Sequence, residues 1–439
     1  MIDVMTQPVD IGSYKNFVSP EFFETLLSTG DKLKGLRVCQ INATGSGGGV
    51  AEILRTLIPL MRSVGLIADW YVLPPDEEFF RITKTIHNLL QGKEGTLSDG
   101  ELNYYLTHNE RTALKLKGKV SQFDLMVVHD PQPLPLLSFL GRLPLSLWVC
   151  HLDTSFPNID MEKNLVPFIK LYDGVVFSHE NYVFEGLDSG MVSIVPPAID
   201  PLSSKNMPMS LSMARGIVRG LGINPRHPLI SQASRFDPWK DPWGVIEAYR
   251  IAKKEIPELQ LALLGVLSAS DDPEAAEVLR SVEQYAGDDP DIHLFSDPRV
   301  IRDREVNAFQ RASQVIVQKS IREGFGLSVA EAMWKRKPVV GGNCGGIVRQ
   351  IRDGKNGFLV DSPQECADRI IALLKDRKLA LRIGRAAKKS VVESYLTPRL
   401  LMDYLVLFAQ LVDTKGLVPV ANRGKRGFEL GGGELLATP

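Results

Sequence analysis

Cysteine is scarce in this chain. Only Cys39, Cys150, Cys344 and Cys366 occur among 439 residues, and none stands at a metal-ligand spacing from another. A thiolate zinc site and a disulfide-stapled scaffold are therefore not expected. Three of the four lie in or beside apolar strand-like or helical runs, which reads as buried free thiols in a reducing cytoplasm. Charge of one sign is lacking too. Lys+Arg 51 against Asp+Glu 52 gives a formal net charge of -1, so no bulk field is available to hold nucleic acid or an acidic membrane. Long hydrophobic runs are absent. The strongest near the end, Tyr404 to Val412, is broken by Gln410 and falls far short of a membrane span. The first residues, Met-Ile-Asp-Val-Met-Thr-Gln, show no basic region followed by an apolar one, so no signal peptide is expected. No coiled coil or short-period repeat is visible.

What remains is 44% apolar and 23% charged residues, the composition of a soluble globular protein. The length exceeds one ordinary core and predicts two domains. After an amphipathic N-terminal extension, Leu36–Asn42 reads as a strand, Ala43–Gly49 as a glycine-rich loop and Val50–Val64 as a helix. Leu66–Val72 is the next strand. This is one βαβ unit of a doubly wound sheet. The loop is too crowded with glycine for the dinucleotide fingerprint. Residues 76–120 read as a helical lobe over that loop. Phe123–Val128 and Leu145–Val149 are buried strands, and each delivers a His and an Asp at its C-terminal end, His129-Asp130 and His151-Leu152-Asp153. Polar groups at strand ends of an open α/β sheet stand where ligands bind. Pro196-Pro197-Ala198-Ile199-Asp200-Pro201 stiffens the chain and marks a domain boundary. A second strand–helix alternation follows, with a loop predicted over Gly341–Gly346 and acidic loops near Asp271, Asp272, Asp288 and Asp289. Asp289-Pro290-Asp291 spells D-x-D, but it sits in an acidic loop and not after an apolar strand. It is not read as a metal site.

Two segments of the second half carry chemistry. Ser234-Arg235-Phe236-Asp237-Pro238-Trp239-Lys240 follows a strand and places two fixed positive charges around one turn, suited to a diphosphate. Ser320 to Pro338 follows the strand Val315–Val317 and opens a helix. Its glycines, Gly324 and Gly326, let backbone approach a ligand, and a helix start favours phosphate or sugar oxygens. Glu323 and Glu331 are eight residues apart, one in the loop and one two turns into the helix.

The E-x7-E element and the Arg235/Lys240 pair resemble the retaining GT-B glycosyltransferases of glycosyltransferase family 4. With Gly47-Gly48-Gly49-Val50-Ala51-Glu52, Val128-His129-Asp130-Pro131-Gln132-Pro133, Cys150-His151-Leu152-Asp153, Pro196–Pro201 and Ala332-Met333-Trp334-Lys335, the chain looks similar to the trehalose glycosyltransferring synthases from about Leu36 to Tyr404. The resemblance implies an α/β fold of two doubly wound Rossmann-like domains facing across a cleft. An acceptor-side domain would occupy 1–200 and a nucleotide-sugar domain 201–395. A helix at 396–414 would cross back to the first domain, and a disordered tail would occupy 415–439. It further implies that Arg235 and Lys240 bind the diphosphate of a nucleoside diphosphate glucose and that Glu323 holds the transferred glucose. Backbone N–H groups of Gly324, Phe325, Gly326 and Leu327 would assist. Glu331 would hold the ribose, His151 would touch the transferred glucose, Gly48 and Gly49 would admit the donor, and Asp130 would orient the acceptor glucose. Trehalose would be the product, formed reversibly, with no protein-bound metal or other cofactor. A homodimer is compatible with the sequence. Trehalose phosphorylase, another family 4 synthase with a different acceptor, and a non-catalytic nucleotide-sugar-binding protein are the alternatives.

Overall fold

The computed structural model describes residues 1–141, 145–265 and 274–416. Two sheets organise them. The first has seven strands: β1 (Ile2–Asp3), β2 (Arg37–Asn42), β3 (Ile67–Val72), β4 (Leu125–His129), β5 (Leu145–Cys150), β6 (Gly174–Phe177) and β7 (Val192–Ile194), in spatial order β1-β3-β2-β4-β5-β6-β7. All neighbours pair in parallel except β1, which runs antiparallel along the edge of β3. The second sheet is wholly parallel. It contains β8 (Leu229–Ala233), β9 (Gln260–Leu264), β10 (Ile292–Phe295), β11 (Val315–Gln318), β12 (Val339–Gly342) and β13 (Phe358–Val360), in order β10-β9-β8-β11-β12-β13.

Parallel strands covered by helices on both faces need apolar side chains in both directions, so their sequences run continuously hydrophobic. β4, β5, β9 and β11 are buried at every residue. In the first sheet one face packs Met126, Val128 and Trp148 under the helices Glu77–Leu90 and Asp99–Val120. The other face packs Val127 and Leu147 under the helix Gly49–Ser63. The helix Thr397–Thr414 joins that second face. Its Leu400, Leu401, Tyr404, Leu405 and Phe408 belong to the same buried cluster, and it lies against the helices Pro20–Lys32 and Gly49–Ser63. Where the chain returns, Ile199 bridges to Leu396, and Arg399 donates to the carbonyls of Pro196 and Pro197 at 2.7 and 2.9 Å. No helix among the described residues is long and apolar enough to cross a membrane.

Strand order locates the crevices. From β2 the first sheet grows one way to β3 and the other way to β4. From β8 the second grows one way to β9 and the other to β11. Such reversal points open a crevice at the strands' carboxyl ends. Beyond β2 and β4 lie the glycine loop and His129-Asp130. Beyond β8 and β11 lie Ser234–Lys240 and Lys319–Gly326.

Two details differ from the sequence reading. β1 is an added edge strand, too short to leave a periodic signal. The stretch Gly341–Gly346 is not all loop: β12 runs through Gly342, and a short helix spans Gly345–Gln350. Phe325 and Gly324 press against Gly346 so closely that only a glycine fits there, which explains a helix start with so little side chain. Asp271, Asp272 and residues 417–439 lie outside the described residues.

Candidate active site

The segment after β8 is built by two aspartates. Asp237 accepts from the Trp239 N–H at 2.9 Å and caps the turn Pro238–Lys240. Asp241, in the left-handed region at φ 47°, caps the helix Pro242–Glu255 through the Gly244 N–H and is paired with Lys319. The turn between them holds Lys240 in place. Its Nζ donates to Glu323 Oε1 at 2.8 Å, and Ser320 Oγ donates to Glu323 Oε2 at 3.1 Å. Arg235 lies 3.8 Å from Asp237, which also pairs with Lys84 at 3.1 Å. Burial would raise the Asp237 carboxyl, but Lys84, Arg235 and Lys240 together hold it below the usual carboxylate range.

Lys84 was not singled out by its sequence. It sits in the helix Glu77–Leu90 of the first sheet's domain, and its ion pair with Asp237 is almost fully enclosed, at 4% and 2% exposure. Removing one partner from such a pair leaves a buried charge and costs roughly 3–5 kcal/mol. The pair therefore ties the helix Glu77–Leu90 to the segment carrying Arg235 and Lys240.

The loop after β11 is gripped from the other domain. The Glu323 N–H donates to Asp153 Oδ2 at 3.3 Å, and the Glu323 carbonyl accepts from Tyr182 Oη at 2.9 Å. The Gly324 carbonyl accepts from Ser178 Oγ at 3.0 Å. A Cβ on Gly324 would stand 1.9 Å from the His151 carbonyl oxygen, so glycine is required there by protein backbone from β5's end. Gly326, at φ 85°, then starts the helix Leu327–Trp334, and no side chain caps it. Its first N–H groups remain available to an anion or a sugar oxygen. Gly49 of the first domain faces Leu327 across the crevice, its Cβ position 3.5 Å from Leu327 Cδ1, while the Cβ position of Gly48 meets nothing within 4 Å. Phe325 turns away from the opening and is buried against Tyr395.

Glu331 lies deeper along the same helix, 1% exposed. Gln310 Nε2 donates to its Oε2 at 3.2 Å. Its Oε1 makes no hydrogen bond and lies 3.5 Å from Lys205 Nζ, which in turn donates to Glu52 Oε2 at 2.6 Å. Lys205 comes from the linker after β7 and was not anticipated. Burial works against its ammonium, but Glu331 and Glu52 hold the charge on it.

On the first-domain side, Asp130 adopts φ 63°, and its Oδ1 accepts from the His151 N–H at 2.8 Å. This bond sets the backbone of His151 and occupies one oxygen of the group expected to orient an acceptor. Burial raises the Asp130 carboxyl, opposed by His151 and Arg235. His151 Nε2 is 3.0 Å from His129 Nδ1, and His129 Nε2 is 2.7 Å from Gln40 Oε1. Burial pushes both imidazoles below their usual range, so both are neutral near pH 7.

The D-x-D carboxylates are engaged elsewhere: Asp289 accepts from Tyr249 Oη, and Asp291 from Lys253 Nζ at 2.5 Å. Among the described residues no three His, Cys, Asp or Glu side chains gather as a metal site. The four cysteines are free, with Cys39, Cys150 and Cys366 buried.

The loop carrying Arg235 and Lys240, an uncapped helix start and the carboxylates of Glu323 and Glu331 thus lie together beyond the carboxyl ends of β8 and β11. The family profile described as "Trehalose synthase, N-terminal domain" matches residues 40–184, and "Glycosyl transferases group 1" matches residues 216–390. The trehalose synthase of Rubrobacter xylanophilus is 44% identical over 405 residues, covering 92% of this chain and 97% of that protein. The chain belongs to the trehalose synthase family of glycosyltransferases. The trehalose synthase of Thermococcus litoralis is likewise 44% identical, over 395 residues that cover 90% of this chain and 95% of that protein. In architecture the chain matches an alpha,alpha-trehalose-phosphate synthase (UDP-forming) from Burkholderia xenovorans with a TM-score of 0.69 at 15% identity. That match covers 86% of this chain and all of the other. The fold is therefore GT-B, two parallel-sheet domains of an α/β glycosyltransferase.

Proposed function

We propose that this trehalose synthase family member transfers glucose from a nucleoside diphosphate glucose to the anomeric hydroxyl of glucose, reversibly, forming trehalose with retention of configuration. The observation that carries the reading is the wall formed by Lys240, Glu323 and Glu331 along one uncapped helix start, with Glu331 Oε1 buried and lacking a hydrogen bond. A buried carboxylate oxygen without a donor is costly. In this reading a ribose hydroxyl supplies that donor, and glucose 1-phosphate carries no ribose to place there. Arg235 and Lys240 then take the diphosphate, and Glu323 takes hydroxyls of the transferred glucose with N–H groups from Gly324 to Leu327. Asp130 borders the acceptor side, and the backbone around Gly48 and Gly49 admits the donor beside Leu327.

Retention by double displacement needs a carboxylate nucleophile free to reach the anomeric carbon. Both oxygens of Glu323 are already bonded, to Lys240 and Ser320. Same-face attack suits the site better. The acceptor oxygen bonds to C1 as the C1–O bond to the diphosphate breaks, and the acceptor's proton goes to the departing phosphate oxygen. Catalysis then rests on positioning and on stabilising the leaving charge with Arg235 and Lys240. The buried free thiols fit a reducing, cytoplasmic setting.

The test is incubation with glucose and, separately, UDP-glucose, ADP-glucose or glucose 1-phosphate, identifying disaccharide and released group. Trehalose with free nucleoside diphosphate is the expected result. Trehalose only from glucose 1-phosphate would assign a phosphorylase. Binding of UDP without turnover would assign a nucleotide-sugar-binding protein.

A further inference from the structure

A chain of three polar side chains crosses the apolar middle of the first sheet. Gln40 on β2 is 0% exposed, His129 at the end of β4 is 1% exposed, and His151 follows β5 at the cleft. The direction of its hydrogen bonds can be worked out from the closed end. Gln40 Nε2 faces the thioether of Met61 at 3.8 Å, so its Oε1 is the atom facing His129. An amide oxygen only accepts, hence His129 Nε2 carries a proton and donates. A neutral His129 then has a bare Nδ1, and the 3.0 Å contact requires His151 Nε2 to donate to it. In a neutral His151 the remaining nitrogen, Nδ1, is an acceptor. That atom has no hydrogen-bond partner among the described residues, and His151 as a whole is only partly buried.

We infer that Gln40 and His129 are positioning residues that fix His151 in the Nε2–H tautomer, so that Nδ1 faces the cleft as an acceptor for a sugar hydroxyl. This rests on the proposed transfer for its sugar, but the tautomer itself does not. The chain also ends in a group that takes no proton at neutral pH. It therefore orients His151 without draining a proton from it, and the acceptor's proton has no route inward along β2 and β4. Burial keeps both rings neutral, which the chain requires. The titratable or charged groups facing the pair are the two rings themselves, Asp130 beside His151, and Arg235 beside Asp130.

The experiment combines nitrogen NMR of the histidine rings in the full chain with kinetics of two variants. In the wild type near pH 7, His151 Nδ1 is expected to resonate as an unprotonated, pyridine-type nitrogen and Nε2 as a protonated one. Gln40→Met keeps the length and removes the acceptor. It is expected to mix the tautomers and lower kcat on the order of tenfold, the lower end of what loss of an orienting partner costs a metal-bound histidine, with KM values little changed. Gln40→Glu restores an acceptor at the same place and is expected to restore most of kcat at alkaline pH. Its carboxylate favours a charged His129, whose Nδ1–H would reverse the bond to His151, so activity should fall on acidification where the wild type stays flat. A protonated Nδ1 on wild-type His151, or unchanged ring signals in both variants, overturns the inference. Absence of disaccharide from every donor would sink the proposed function instead, leaving the ring signals to decide the tautomer.

Discussion

Lys240 Nζ and Glu323 Oε1 stand 2.8 Å apart, each contributed by the loop at one side of the second sheet's switch point. Their side chains are 16% and 10% exposed, so the pair is shielded enough to be ordered yet open to the cleft. The pair links the cation proposed for the leaving group to the carboxylate proposed for the sugar. Lys240→Ala deletes the charge and leaves Glu323 with only Ser320. Loss of one electrostatic stabiliser typically costs about 10²–10³ in kcat. The expected outcome is a drop of that order with a melting temperature within a few degrees of the wild type. Full activity would remove Lys240 from the site.

Gly324 and Gly48 both belong to loops expected to approach a ligand, but the structure constrains them differently. An alanine at 324 collides with the His151 carbonyl at 1.9 Å, and backbone on both sides leaves nothing flexible to yield. Gly324→Ala is expected to destabilise the chain by roughly 1–3 kcal/mol, as overpacking does, and to abolish turnover. Gly48→Ala meets nothing within 4 Å and sits in extended backbone, so stability should not change. Any rise in donor KM in that variant reports the ligand's own approach. Unfolding midpoints and donor KM, measured side by side, check both.

Much of this was visible in sequence. The apolar runs that became β4, β5, β9 and β11 could only be buried parallel strands, and the polar residues following them had to lie at carboxyl ends. Arg235, Lys240, Glu323 and His151 were singled out that way; in the fold Lys240 bonds Glu323, and the His151 carbonyl packs against Gly324. What stayed hidden depends on contacts between distant segments. Gln40 looked like one polar residue in an apolar strand, and only the 2.7 Å bond to His129 gives it a task. Lys84 sits in an amphipathic helix with no motif, and Lys205 in a linker. Gly324 was read as making room for a ligand, whereas its neighbour is the other domain's backbone. The edge strand β1 has two residues, too few for any period to show.

Glu331 offers a test of the nucleotide donor. Its Oε1 makes no hydrogen bond in the protein, with the Lys205 ammonium 3.5 Å away, and the proposed partner is a ribose hydroxyl. Glu331→Gln keeps the shape and weakens acceptance from a charged to a neutral group. The expected donor KM rises about tenfold, the value of one charge-assisted hydrogen bond. A donor analogue lacking both ribose hydroxyls should bind the wild type and the variant equally weakly. Equal discrimination against that analogue in both proteins would place the ribose elsewhere.

Lys335 supplies a stability prediction with a definite sign. It is 7% exposed, and its Nζ donates to Asn206 Oδ1 at 2.7 Å and to the Glu331 carbonyl at 3.1 Å. Burial lowers its ammonium to about 7, with Glu331 opposing and Arg311 and Lys205 adding repulsion. The unfolded chain holds this proton until about pH 10.4. Between those values the unfolded state binds more protons than the folded one, so stability must rise with pH. Below about 7 both states are protonated and the cost of the buried charge is fully present. Lys335→Met removes the titrating group. Denaturant unfolding between pH 7 and 9.5 is expected to show a smaller rise for the variant than for the wild type. Parallel curves would mean that Lys335 keeps its proton throughout, and that Asn206 and the Glu331 carbonyl solvate it as well as water does.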